Sequence, residues 1–119
     1  EAKVIVKEHE FVIRQIRPNA YTIDAKGKVK NIGEVDVKRV IITGYCRSCN
    51  DGLAPGRWTV SPDRERADNE KDMINYLVAG GEADFKFSDV AIIYPTDHDV
   101  PKELPEQLEI VIESFDVVN

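Results

Sequence analysis

Apolar and polar residues alternate along much of the chain, the period of half-buried β-strands. The cleanest stretch is Tyr21-Thr-Ile23-Asp-Ala25-Lys-Gly27-Lys-Val29-Lys-Asn31. Its odd positions are apolar or small, and Thr22, Asp24, Lys26, Lys28 and Lys30 fill the even ones. One face must therefore turn to a core and the other to water. Before it, Lys3 to Arg17 reads as one long or two short strands with Val4, Val6, Phe11, Ile13 and Ile16 as core candidates, ended by Pro18-Asn19. After Asn31-Ile32-Gly33 comes Val35 to Tyr45, where Val35 and Val37 share one parity and Val40 and Ile42 the other. A parity switch inside one strand predicts a bulge near Lys38-Arg39.

Residues 46–72 break the pattern with Gly, Pro, Asn, Asp and mixed charges, with Arg57-Trp58-Thr59-Val60 as a candidate short strand. Alternation returns in Met73 to Val78, Ala83 to Phe87, Val90 to Tyr94 and Leu108 to Ile112, with Phe115 and Val117 after a second parity change. Pro95 to Pro105 reads as a loop. Pro62 to Leu77 contains helix formers but no apolar stripe at helical spacing. About seven or eight short strands separated by turns describe an all-β, antiparallel sandwich.

A length of 119 residues sets the expectation of one domain, 1–119, with 46–72 as a long loop insertion. Such a chain buries roughly two thirds of its unfolded surface and can build its own core. It holds no apolar run near the roughly 18 residues of a membrane span, so no transmembrane segment is expected. It begins at Glu1 without Met or an apolar leader, which fits a processed form or a piece of a longer chain. Net charge is −6, against a nucleic-acid partner. Residues 1–62 carry 11 Lys/Arg against 7 Asp/Glu, and residues 63–119 carry 5 against 15. A compact fold is expected to interleave the two halves and mix these charges.

The motif with the most chemistry is "GYCRSCNDG", residues 44–52. Cys46 and Cys49 form a CxxC. Asn50 stands where a c-type haem site needs His. A thioredoxin-like centre needs a helix N-terminus to lower the thiol pKa, and no helical pattern follows. A structural zinc needs four ligands, so the two cysteines would have to share one between chains. What remains is a small-loop disulfide, or two free thiols in a reducing compartment. Asp97-His98-Asp99 and the acidic run from Asp63 to Asp72 resemble metal ligands by type, but read as solvated loops; the run lacks EF-hand spacing and its glycine. No metal or other cofactor is assigned. No nucleophile motif, phosphate loop or zinc-protease motif is present, so no catalytic residue is assigned and the chain is read as not an enzyme. Lys26, Lys28 and Lys30 form a regular row. It reads first as protection of an open edge strand, and second as a contact for an acidic partner.

"GKVKNIGEVDVKRVIITGY" (27–45), "YLVAGGEADFKF" (76–87) and "LEIVIESFDV" (108–117) resemble the FxLYD-type domain over roughly residues 20 to 117. Its pattern is a G-x-V-x-N strand, a short turn, a strand of alternating valines, and L-x-x-G-x-x-x-x-F. Within it, Gly27 is expected to make room for a large side chain of the opposite sheet, Asn31 to shape the turn, and Gly80-Gly81 to turn the chain into the Phe85 strand. The resemblance implies an immunoglobulin- or fibronectin III-like sandwich in secreted, periplasmic or surface settings, with no established activity. That setting favours the Cys46–Cys49 disulfide. The expectation is a binding or structural module outside the cytoplasm, meeting a protein or cell-surface component. The segment that departs from the family pattern would meet it, through Arg47, Arg57, Trp58, Arg64 and Arg66, because Arg and Trp concentrate interface energy. A thiol-disulfide or metal-handling role for Cys46 and Cys49 is the alternative.

Overall fold

A computed structural model of the protein describes residues 1–62 and 66–119. Among these, nine strands form two packed sheets. They are β1 (Val4–Arg17), β2 (Ala20–Asn31), β3 (Val37–Cys46), β4 (Asn50–Asp51), β5 (Thr59–Val60), β6 (Lys71–Leu77), β7 (Glu82–Phe87), β8 (Ile92–Ile93) and β9 (Leu108–Val117). The larger sheet runs β1-β2-β8-β5-β4, with β7 also paired to β2; the smaller runs β6-β3-β9. Every pairing is antiparallel except β4 with β5. The only helical turn among the described residues is a 3-10 turn at Asp68–Glu70. The all-β sandwich is therefore as the alternation predicts, and β4 is the strand the pattern did not show.

The period-two reading of β2 places its faces correctly. Tyr21, Ile23, Ala25, Val29 and Asn31 are buried on the inner face, joined by Phe85 and Phe87 of β7. Val37, Val40 and Ile42 of β3 close the core from the other sheet, all at 0% exposure. Thr22 is the exception on the outer face: it is buried, with its hydroxyl 2.9 Å from Asp89 Oδ1 and 3.0 Å from the Ala91 carbonyl. The expected bulge is present. Arg39 takes a left-handed φ of 50° and the β3–β9 register shifts between Lys38 and Ile41. That extra step lets Val37 and Val40 both point inward. A second shift, opposite Ile112 and Ser114, brings Phe115 back against the core.

Two expectations are corrected. A Cβ on Gly27 would lie 2.1 Å from the Glu8 carbonyl oxygen and 2.7 Å from Phe85 Cζ. These belong to its own sheet, because Gly27 pairs with His9 on one side and Phe85 on the other. The glycine that admits a large side chain of the opposite sheet is Gly44, whose Cβ would lie 2.9 Å from Phe87 Cε1. Nor do Lys26, Lys28 and Lys30 guard an edge, since β2 is flanked by β1 and by β7 and β8. They sit between acids of the neighbouring strands: Lys26 to Glu10 at 3.5 Å, Lys28 to Asp84 at 2.9 Å and Lys30 to Glu82 at 4.0 Å.

The uneven charge of the two chain halves is mixed in space. Lys7–Glu82, Lys28–Asp84, Arg39–Asp116 and Arg47–Glu109 each join a base from the first half to an acid from the second. Among the described residues, no helix is long and apolar enough to cross a membrane.

Candidate functional site

The chain leaves the smaller sheet at Cys46, the last residue of β3, and returns in the larger sheet as β4 and β5. The crossover is held at its start by the Cys46–Cys49 disulfide. Arg47 N–H donates to the Gln107 carbonyl at 3.0 Å, and the Ser48 hydroxyl to the Glu106 carbonyl, fastening the turn to the approach of β9. Further on, Asn50 N–H donates to Trp58 O at 3.0 Å, Gly52 N–H to Val60 O at 2.8 Å and Gly56 N–H to Tyr94 O at 2.8 Å. Thr59 pairs with Ile92. The stretch 46–60 is thus stitched into the sheet edge and is less irregular than its composition suggests. It is a surface connection held by backbone bonds at both ends, the usual setting for a recognition loop on a rigid frame.

Two hollows flank the disulfide. One, of about 390 Å³, is lined by Cys49, Arg57, Trp58, Ile93 and Pro105. Arg57 is exposed and Trp58 is half-buried, with part of its ring against the core. The other, of about 360 Å³, is lined by Tyr45, Arg47, Cys49, Asp51 and Arg66. Here the guanidinium carbons of Arg47 and Arg66 stand 4.6 Å and 4.4 Å from the centre of the Tyr45 ring. The ring face is electron-rich, so it attracts both cations. Tyr45 Oη donates to Glu113 Oε1, and Arg47 also pairs with Glu109. The Tyr45 hydroxyl is held above its usual pKa, first by that bond to Glu113, then by burial, with Arg66 pulling the other way.

Of the residues expected to meet a partner, the structure brings Arg47 and Arg66 together around Tyr45 and places Arg57 and Trp58 in the adjoining hollow. Arg64 lies outside the described residues. Tyr45, Glu109 and Glu113 were missed by sequence reasoning, because their role depends on strand pairing between β3 and β9. A larger hollow, about 680 Å³, lies elsewhere, over Glu8, Glu10, Lys26, Lys28, Asp84 and Lys86. Its lining alternates in sign and is largely internally paired, so it is a weaker candidate for an acidic partner.

The disulfide end offers contact surface and little chemistry. Cys46 is 7% exposed, and the motif ends a strand with no helix N-terminus to stabilise a thiolate. Asp97, His98 and Asp99 are exposed, with Asp99 N–H bonded to Asp97 Oδ1 at 3.1 Å in a local turn. Among the described residues, no group of three or more His, Cys, Asp or Glu side chains converges on a metal position. No family model, no curated protein and no solved structure matches the chain, so the site is defined by this geometry.

Proposed function

We propose that the protein is a non-enzymatic binding module of the immunoglobulin-like, FxLYD-related kind, working outside the cytoplasm and meeting a protein or cell-surface component with the disulfide-held end. The observation that carries the reading is the anchoring of 46–60 by backbone bonds to Gln107, Tyr94 and the β5–β8 ladder. It supports a fixed presentation of Arg47, Arg57 and Trp58 beside Tyr45 and Arg66. Preorganised arginine and aromatic side chains bind without a large ordering cost.

The test is the double variant Arg47→Glu/Arg57→Glu. Both side chains are exposed, so the fold is expected to persist and is checked by circular dichroism. Affinity capture with the purified module from a native surface extract is expected to recover a partner with the parent protein and to lose it with the variant. A partner retained by the double variant moves the site elsewhere, with the Lys26-Lys28-Lys30 face tested next.

A further inference from the structure

β1 is a 14-residue strand at the edge of the larger sheet. One side pairs with β2 along its length. Among the described residues, no other strand and no loop backbone bonds to residues 4–17. Natural sheets blunt such edges with bulges, prolines, charged side chains or a covering loop. In β1 the register shifts only near the ends, between Val6 and Glu8 and between Gln15 and Arg17. The stretch between them is regular, without Pro or Gly, and its charges differ in sign: Glu8 and Glu10 come first, Arg14 later. Its inner side chains Phe11 and Ile13 are only partly buried, and Val12 on the outer face is 44% exposed.

We propose that this edge binds a second copy of the chain, the two β1 strands pairing antiparallel about a two-fold axis through Val12. Directly opposed residues of an antiparallel pair share a face, so the axis must pass through a residue. With the axis at Val12, Glu10 stands opposite Arg14 of the second copy, twice, and Val12 opposite Val12. On the inner face Phe11 stands opposite Ile13, twice, and His9 opposite Gln15. Opposite charges meet outside and apolar side chains meet inside. The neighbouring registers do worse. An axis at Phe11 also sets Glu8 against Arg14, but it sets Glu10 against Val12 and His9 against Ile13, so the inner face loses its apolar pairs. An axis at Ile13 sets Val12 against Arg14 and Phe11 against Gln15. An axis at Glu10 sets that carboxylate against itself. The charges already paired within the chain extend the row: Lys26 bonds Glu10, and Arg14 bonds Asp24 at 2.5 Å. The result is one continuous sheet running through both copies.

The test is sedimentation equilibrium over rising concentration. A ribbon of this length makes a small interface, so a reversible dimer is expected to appear below about 1 mM. Val12→Lys puts like charges on the axis and is expected to abolish it. Glu10→Arg is expected to weaken it about tenfold, since two attractive cross-strand pairs become repulsive. An equal mixture of Glu10→Arg and Arg14→Glu chains restores both pairs and is expected to form a heterodimer tighter than the homodimer of either variant alone. Circular dichroism checks each fold. Arg14→Glu loses its bond to Asp24, so if that variant does not fold, Val12→Lys and Glu10→Arg still decide. A parent protein still monomeric at about 1 mM overturns the proposal. So does a dimer indifferent to Val12→Lys, or one with no charge-dependent preference in the mixture.

Discussion

Asn31 is fully buried, yet its amide is fully partnered. Nδ2 donates to the Val35 carbonyl at 2.8 Å and the Leu77 carbonyl at 3.1 Å, and Oδ1 accepts from Gly33 N–H at 3.0 Å. One side chain therefore ties the β2 exit to its turn and to β6 in the opposite sheet. Asn31→Ala would leave those groups without partners, at a cost of about 3 kcal/mol in urea unfolding. Asn31→Asp should cost more at neutral pH, because a carboxylate would face two carbonyl oxygens. Tyr45 gives a residue-scale test of the candidate site. Its hydroxyl and that of Tyr76, bonded to Asp36, are both held above the usual tyrosine range. A raised folded pKa favours the protonated form. The associated stability is present below the ordinary value of about 10 and is lost as pH rises through the higher folded value. Ultraviolet titration should show late ionisation at Tyr45 and Tyr76, with the Tyr45 step removed by Tyr45→Phe.

At the level of elements, the Cys46–Cys49 bond closes a very short loop at the point where the chain crosses between sheets. Its loop-closure contribution is about 2 kcal/mol. Reduction should lower the unfolding free energy by that amount, read from the urea midpoint and slope together, and leave the β spectrum intact, since β3 and β9 remain paired from Cys46↔Leu108 onward. A complete loss of structure on reduction would contradict this. What could be read beforehand divides along the same line. The inner face of β2 was legible because its alternation is unbroken, and the Arg39 bulge because Val37 and Val40 disagree in parity. Strand order was not legible. Lys26, Lys28 and Lys30 announce an outward face but not whether their strand is central. Gly27 shows that a neighbour comes close but not from which sheet. β4 is two residues long, too short to display any period. The meeting of Arg66 with Tyr45 depends on how 46–72 closes back on β3, which no local pattern encodes.

The whole molecule is long and narrow, 54 × 24 × 21 Å, because the β1–β2 hairpin runs most of its length. Its radius of gyration over Cα atoms, 15.9 Å, exceeds the roughly 14 Å of an average compact domain of this length. Small-angle scattering at high dilution should return the larger figure, and circular dichroism should show almost no helix. A compact, near-spherical profile would contradict the arrangement of the two sheets. The placement of β3 has a further consequence, in time. β3 supplies Val37, Val40 and Ile42 to the core, and both of its partners, β6 and β9, come later in the chain. The hairpin beside it can close within about ten microseconds of emerging. β3 must wait for Leu108–Val117, which at roughly 5–20 residues per second means several seconds of synthesis. Through that interval the most apolar strand of the smaller sheet has a bare edge, and a nascent chain is most exposed to mispairing there, before its last strand arrives.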